Sequence, residues 1–192
     1  QAQNGLMVSK WGTTELGTVC SLLSDDLHIP LKDIYEGKVS YDRTGSVAWL
    51  VNNSGFFPNS LPAGEKFAHL ALEDAREIDI LGSYAKLEYY VRNYTEKARK
   101  INLNGYYAPF LWENPWTKEL KGKKVLVVHP FAETIKKQYD KREHLFENPD
   151  VLPEFKKLTV IKAVQSIAGN SSETGFKDWF EALDFMKNQM DQ

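Results

Sequence analysis

Short apolar runs alternate with segments of helical periodicity along this chain, and this alternation constrains the fold more than any other feature. One helical face carries apolar residues three and four positions apart, namely Leu16, Val19, Cys20 and Leu23. In contrast, Val125–Val128 form an unbroken apolar run, which is typical of a strand buried on both faces. Because strands that alternate with helices build βαβ units, we predict one α/β domain over residues 1–192, with a mainly parallel sheet flanked by helices.

The same pattern predicts the position of each element. We expect strands at Leu6–Lys10, Ile78–Gly82, Ile101–Leu103, Lys124–His129 and Leu158–Val164. We expect helices near Thr14–Leu23, Leu31–Tyr35, Ser46–Val51, 64–77, Ala85–Tyr94, Thr117–Leu120, Ala132–Phe146 and Phe176–Met190. No strand is predicted after the last helix, and an open α/β unit normally closes with one, so we expect a fragment that lacks the carboxyl end of its domain.

Charge and cysteine content exclude several function classes. The net charge of −2 provides no strong field for collecting nucleic acid, so we expect no nucleic-acid partner. No apolar run approaches the roughly 20 residues of a membrane span, so we expect no membrane insertion. With Cys20 as the only cysteine, no internal disulfide forms, and with only four scattered histidines besides it no structural zinc site is credible. We therefore expect a cytoplasmic protein, and the oligomeric state stays open.

The segment after the first predicted strand, Lys10–Glu15, is the first candidate binding site, because ligands of open α/β sheets bind beyond the carboxyl ends of strands. Gly12 permits a tight turn, while Thr13 and Thr14 offer hydroxyls or a helix cap. Glu15 has two interpretations: it binds a metal ion or sugar hydroxyls, or it only complements the helix dipole.

A second candidate site follows the strand that ends at His129. This histidine is suited to donate to a phosphate oxygen or to act as a base; alternatively, a backbone carbonyl satisfies it and Pro130 is an ordinary first helical residue. Phe131 lies in the same turn. Arg142 follows on the next predicted helix and is spaced to reach back over the site.

Two further segments are weaker candidates. Gln165 and Ser166 open a loop rich in Gly, Ser and Asn, which suits a phosphate or a ribose but is also a common connector. Asn53 lies in a polar–aromatic break. Aromatic residues elsewhere are predicted either to stack on a sugar or base or to act as structural lids: Tyr106, Tyr107, Trp112 and Trp116.

The amino-acid sequences of these segments resemble those of a known family. Val8–Leu16 is similar to the opening motif R-[FY]-G-x-x-E-[LF] of bacterial glycosyltransferases of the GT-D fold and of their relatives in capsule and surface-polysaccharide gene clusters. The second half resembles the core of one uncharacterised branch at several short segments: Val127–Phe131, Gln138–Tyr139, Arg142, Leu145–Phe146, Leu152–Pro153, Ala163–Ser166 and Asp178–Leu183.

The resemblance implies a Rossmann-like domain that transfers a sugar, typically a hexose, from a nucleotide-sugar donor to a glycan or glycoprotein acceptor. In that family a D-x-E motif binds the donor through Mn²⁺ or Mg²⁺, and no organic cofactor is expected. The matching triplet here is Thr13-Thr14-Glu15, which keeps only the glutamate. Lys10 stands where the pattern usually has Arg, so it keeps the charge but loses the bidentate fork.

From the residues and the resemblance together we predict Glu15 and His129 as catalytic residues, with Glu15 also a metal ligand. The predicted substrate-binding residues are Lys10, Gly12, Thr13, Thr14, Asn53, Pro130, Phe131, Arg142, Gln165 and Ser166. This prediction requires the Trp11-Gly12 turn and the His129-Pro130 turn to open onto one cleft. The alternative is a non-catalytic nucleotide- or sugar-binding module of a polysaccharide assembly system. A hydrolase ranks last, because no nucleophile motif is present.

Overall fold

A computed structural model describes residues 5–164, 166 and 175–191, and these residues form an α/β structure with parallel strands. The chain divides into two compact units. Unit 1 comprises the described residues of Gln1–Leu103 and Ser166–Trp179, and unit 2 those of Asn104–Gln165 and Phe180–Gln192. Each unit has a sheet of its own. The predicted α/β class with parallel strands is therefore confirmed, while the single domain stays a prediction.

The sheet of unit 1 has three parallel strands in the order β1-β2-β3. They are β1 (Val8–Ser9), β2 (Ile80–Ser83) and β3 (Arg99–Asn102). In register, Val8 lies opposite Ile80, and Ile80 lies opposite Arg99. Because all three strands run the same way, their carboxyl ends meet at one edge of the sheet, where α/β proteins place their ligands.

The helices of unit 1 cover most of the chain between β1 and β2. They are α1 (Thr13–Leu22), α2 (Leu31–Tyr35), α3 (Arg43–Ser54) and α4 (Leu61–Ala75). After β2 come two short 3-10 helices, Lys86–Tyr89 and Arg92–Tyr94, in place of the single predicted helix over Ala85–Tyr94. The bounds of α1 and α2 agree with the predicted helices within one residue. In α3, Asp42 caps the first turn, so this helix begins earlier than predicted.

The core of unit 1 lies where α1 packs against α3 and α4. The predicted apolar stripe of α1 is confirmed as buried, and α1 packs against α3, whose Val47 and Leu50 are buried as well. On α4, a Cβ on Gly64 would lie 2.6 Å from Cγ2 of Val47. Only a glycine therefore allows α4 to approach α3 this closely.

Unit 2 contains a two-stranded parallel sheet of β4 (Lys124–His129) and β5 (Lys157–Lys162), with Val125 opposite Leu158. Its α-helical elements are α6 (Ala132–Tyr139) and, apart from their first residues, α5 (Leu103–Tyr107) and α7 (Trp179–Met190). Short 3-10 helices connect them at Pro109–Leu111, Trp116–Leu120, Arg142–His144 and Pro149–Val151. The helix predicted over Ala132–Phe146 is thus interrupted after Tyr139.

The strand β4 has the predicted bounds but not the predicted burial. Leu126 is 44% exposed and Val128 is 38% exposed, so the prediction that both faces are buried is wrong. The strand β5 is likewise only partly buried. The β-branched run reports strand preference, which does not require complete cover on both faces. Among the described residues, no helix has both the length and the apolar character that crossing a bilayer requires.

Candidate functional site

The turn from β1 into α1 is built on Gly12, which occupies the N-cap position with extended backbone angles and no side-chain cap. The prediction that Thr13 or Thr14 caps this helix is wrong, because both lie inside its first turn. A Cβ on Gly12 would lie 1.8 Å from Oε2 of Glu15. The Glu15 carboxylate therefore folds back over the start of the helix, as its helix-dipole interpretation requires.

The loop after β2 is held by a buried carboxylate that sequence analysis missed. Glu88 accepts hydrogen bonds from Oγ of Ser83 at 2.5 Å, from the amide of Tyr84 at 3.0 Å and from the amide of Ala85 at 2.9 Å. Three donors satisfy the buried charge and fix the backbone of the loop. The available sequence signal was an acidic residue in the first turn of a helical segment.

This loop is tied to the turn that follows β1. The hydroxyl of Tyr84 donates to the carbonyl oxygen of Trp11 at 2.7 Å, and Nζ of Lys10 lies 6.0 Å from the centroid of the Tyr84 ring. Because Glu88 fixes the amide of Tyr84, the carboxyl ends of β1 and β2 are positioned relative to each other. Lys10 itself is exposed, beside this junction.

A cavity of about 570 Å³, here called the hydroxyl pocket, adjoins the first turn of α1, which follows β1. Helices α1 and α3 supply most of its polar lining: Thr13, Thr14, Thr18, Ser46, Trp49 and Asn53. Three of these are predicted substrate-binding residues, namely Thr13, Thr14 and Asn53. The spacing of Ser46, Trp49 and Asn53 places them on one face of α3. A volume of roughly 300–1,000 Å³ is typical of small-molecule sites.

The amino end of α3 is capped by the side chain of Asp42. Oδ1 of Asp42 accepts a hydrogen bond from the amide of Gly45 at 2.8 Å. A Cβ on Gly45 would lie 2.3 Å from Oδ2 of the same carboxylate. Asp42 lines the hydroxyl pocket, but its charge is engaged with the start of the helix.

Lys38 is the one cationic side chain among the described residues that line this pocket. Its Nζ lies 2.7 Å from Oδ1 of Asp33 and 2.9 Å from Oε2 of Glu36, which raises the pKa of Lys38. Asp33 accepts a second hydrogen bond from the hydroxyl of Tyr90 at 2.8 Å. The hydrogen bonds from Lys38 and from Tyr90 lower the pKa of Asp33. The ammonium charge of Lys38 is thus held by two carboxylates.

A second cavity of about 350 Å³ lies beside the first turn of α1 and is lined in part by α4. It contains the other predicted residues of the β1–α1 turn, Lys10, Gly12 and Glu15, together with Asp74. Trp11 also lines it and is buried, and its Nε1 has no hydrogen-bond partner among the residues the structure describes. The predicted residues of Lys10–Glu15 therefore divide between two neighbouring cavities.

In unit 2, His129 is exposed at the end of β4. Its Nδ1 accepts a hydrogen bond from the amide of Phe131 at 3.1 Å, so in the neutral ring Nε2 carries the proton and can donate it in a hydrogen bond to a ligand. Phe131 is exposed at the N-cap of α6, and Pro130 is half-buried between them. A backbone group therefore does satisfy one ring nitrogen of His129, as one of its two interpretations predicts. The partner is the amide of Phe131, however, and not a backbone carbonyl.

Arg142 is held by its own neighbourhood within unit 2. Its guanidinium lies 5.4 Å from the centroid of the Tyr139 ring, and its Nη2 lies 3.4 Å from Oε1 of Glu143 and 3.9 Å from Oε1 of Glu154. Reaching over a ligand would require it to leave these partners. Its predicted role in substrate binding stays a prediction.

The remaining predicted residues are placed as follows. Gln165 lies outside the described residues. Ser166 belongs to unit 1 and is buried, with its carbonyl oxygen 2.5 Å from the position of a Cβ on Gly55. Its Oγ has no partner within the described part of the chain. Because Gly12 and His129 belong to different units, the shared cleft between their turns stays a prediction.

No group of three or more His, Cys, Asp or Glu side chains among the described residues is placed to hold a metal ion. The predicted role of Glu15 as a metal ligand stays a prediction. Comparison of the chain with protein-family models, curated proteins and solved structures finds no match in any of the three.

Proposed function

We propose that this chain is a glycosyltransferase that binds a nucleotide-sugar at the carboxyl edge of the unit 1 sheet and transfers its sugar to an acceptor in surface-glycan or polysaccharide synthesis. One observation carries the proposal: the first turn of α1, directly after β1, lines a cavity of about 570 Å³ with hydroxyl groups. This is the edge at which parallel α/β sheets bind ligands.

The chemistry of the edge suits the two ends of such a donor. Free amides at the start of α1 and the exposed ammonium of Lys10 favour an anionic diphosphate. The hydroxyl pocket offers neutral donors and acceptors for the ring portion of the molecule. Glu15 is assigned to a bound Mn²⁺ or Mg²⁺ or to sugar hydroxyls. The reaction needs no organic cofactor.

In the proposed reaction, the acceptor oxygen bonds to the anomeric carbon as the bond from that carbon to the diphosphate breaks. The diphosphate leaves with the bonding electron pair, and Lys10 stabilises its developing charge. The acceptor proton passes to a base. A positioned carboxylate is the proposed base, and His129 is proposed to donate a hydrogen bond from Nε2 to the leaving diphosphate, because the bond at Nδ1 leaves the ring proton on Nε2. The enzyme is proposed to act in the cytoplasm, which cell fractionation tests.

The test is binding and turnover with a panel of UDP-, GDP- and dTDP-sugars in the presence of Mn²⁺, using the full chain. At least one donor is expected to bind saturably and to be turned over. Glu15→Gln and His129→Ala should each lower turnover at least tenfold, whereas Glu73→Gln on the exposed face of α4 should not. If no donor binds, or if neither substitution changes turnover, the proposal is wrong.

A non-catalytic binding module is the second candidate. Two observations favour it: Thr13 stands where the family motif has an acid, and the Glu15 carboxylate folds onto Gly12. This candidate predicts saturable donor binding with neither transfer nor hydrolysis. Turnover by the purified chain would exclude it.

A further inference from the structure

The hydroxyl pocket has hydrogen-bonding groups that are still available to a ligand. The buried hydroxyls of Thr18 and Ser46 are engaged internally, since Thr18 donates to the carbonyl oxygens of Thr14 and Ser46, and Ser46 bonds to Ser21. By contrast, no hydrogen bond within the described residues engages the side chains of Thr13, Thr14 or Asn53, all of which line the pocket. The available groups are therefore hydroxyls and one amide.

Neither charged side chain of the pocket is free to pair with a ligand. Lys38 is held by Asp33 and Glu36, and the carboxylate of Asp42 caps α3. An anionic diphosphate placed here would have to compete with two carboxylates for Lys38. A neutral group with several hydroxyls finds partners at Thr13, Thr14 and Asn53 without such competition.

Trp49 adds a flat apolar surface to this polar cavity. It lines the pocket from the exposed face of α3, and 66% of its surface is accessible to solvent. The exposed indole of Trp49 favours a ligand whose planar or saturated ring stacks on the indole face. Trp49 is one turn from Asn53 on the same helix face, so one ligand ring can contact both.

Gly17 leaves room at the wall that α1 contributes. It lines the pocket, and a Cβ built on it would meet no heavy atom within 4 Å. The absence of a side chain keeps this volume open. A side chain added here would therefore begin in open space beside the pocket.

We infer that the hydroxyl pocket binds a neutral, hydroxyl-bearing ring that stacks on Trp49, and that the diphosphate of the donor lies outside it, at the Lys10–Thr13 turn. The inference deepens the proposed function and rests on it for the identity of the whole ligand. Two parts of a nucleotide-sugar have this chemistry, the nucleoside and the transferred sugar. The experiment distinguishes them.

Two substitutions test the pocket directly. Trp49→Ala removes the stacking surface and is expected to weaken binding of the best donor by at least about fivefold. Gly17→Leu fills the cavity and should weaken it at least tenfold without lowering the thermal melting temperature. The matched controls are Tyr35→Ala, an exposed aromatic residue on α2, and Gly105→Leu, a glycine of α5 with equally open surroundings. Neither control should change affinity.

Binding of the separate parts of the donor is followed in ¹⁵N spectra of the full chain. The indole resonance that disappears in the spectrum of Trp49→Ala is assigned to Trp49. Uridine, guanosine and thymidine form one arm, methyl hexopyranosides the second, and inorganic pyrophosphate the third. The inference predicts that either the nucleosides or the glycosides shift the Trp49 indole, and that pyrophosphate does not. The arm that shifts it names the part of the donor in the pocket.

The outcomes separate this inference from the proposed function. Donor binding that is unchanged in both Trp49→Ala and Gly17→Leu overturns the inference and leaves the proposed function standing. If neutral rings bind at Trp49 but no nucleotide-sugar binds, the inference holds and the proposed function is wrong. The inference is overturned if pyrophosphate alone shifts the Trp49 indole resonance, or if none of the probes shifts it.

Discussion

The strands of unit 2 are richer in apolar residues than those of unit 1, yet the best-buried strand, β2, belongs to unit 1. In unit 1, Leu81 in the middle of β2 is completely buried, and so are large side chains such as Leu16 of α1 and Phe56 in the segment after α3. In unit 2, Leu126 in the middle of β4 is 44% exposed. The buried apolar residues of unit 2 are mostly small: Ala108, Ala132, Val151, Ala182 and Met186.

The difference shows that strand formation and core formation depend on different features of a sequence. A run of β-branched residues specifies the extended backbone of β4, but its burial depends on residues elsewhere in the chain. Unit 1 has α1, α3 and α4 to cover its apolar side chains. The hydroxyl pocket also lies between elements of unit 1, where a densely packed core holds lining side chains in place.

The largest expected effect contrasts the central leucines of the two sheets. Leu81→Ala should lower the free energy of unfolding by about 2–5 kcal/mol, because it leaves a cavity in a dry core. Leu126→Ala should cost less than about 1 kcal/mol, because that side chain is already half in water. Urea denaturation of both variants measures the difference. Equal losses would mean that the two sheets do not differ as described.

The second contrast uses two glycines with a φ of 69°, Gly55 in unit 1 and Gly122 in unit 2. Alanine at either position is strained by about 1–2 kcal/mol in this left-handed region. At Gly55 the new Cβ would also lie 2.5 Å from the backbone oxygen of Ser166, whereas at Gly122 it meets nothing within 4 Å.

Gly55→Ala should therefore lower the free energy of unfolding by roughly 3 kcal/mol, and Gly122→Ala by roughly half as much. Chemical denaturation of the two variants measures both losses. A Gly55→Ala variant that is no less stable than Gly122→Ala would contradict the close packing at that end of α3.

The third contrast uses thiol reactivity as a probe of the unit 1 core. Burial raises the pKa of Cys20 from 9.0 to about 12, so its thiolate fraction near pH 8 falls about 1,000-fold. Cys20 should react with a disulfide reagent only when unit 1 opens. A cysteine placed in β4 by Val128→Cys, in a Cys20→Ala background, should react in the native state.

The same shift makes stability depend on pH with a defined sign. The neutral thiol of Cys20 stabilises the folded state fully below pH 9, and this contribution is lost as pH rises from 9 towards 12. The wild type should lose stability across that range more steeply than Cys20→Ala. Rapid native-state labelling, or identical slopes, would show that α1 is less buried than described.

The smallest expected effect compares a half-buried carboxylate, Asp33, with an exposed one, Glu133. Lys38 and Tyr90 lower the pKa of Asp33 in unit 1, and Lys136 lowers the pKa of Glu133 in unit 2. A lowered pKa stabilises the fold above the ordinary carboxyl range, and the contribution is lost as pH falls through the folded value. Asp33→Asn should lower the melting temperature at pH 7 slightly more than Glu133→Gln, because it loses two partners. Both differences should vanish in acid.

The sequence predicts the local elements of this protein well because periodicity and caps are local. The bounds of α2 and β4, and the buried stripe of α1, follow from residues within each segment. The burial of β4 does not, because it depends on distant parts of the chain. Hydrophobic periodicity also does not predict that the chain divides into two units.

The candidate site was predictable only in part. Gly12 and the residues after it signal a turn at a strand end, so Thr13 and Thr14 were found. Asn53 was found as part of a polar break, although it lies on α3. Trp49 was missed, because its role depends on how α1 and α3 pack. Glu88 was also missed, since only the folded loop brings three donors to its carboxylate.

The central claim is that the carboxyl edge of the unit 1 sheet is a donor site, and a crystal structure of the chain saturated with its best nucleotide-sugar and Mg²⁺ tests it most directly. The account predicts density for a ring against Trp49 in the hydroxyl pocket and for a diphosphate at the Lys10–Thr13 turn. Well-ordered donor bound elsewhere, with the hydroxyl pocket filled only by water, would contradict it.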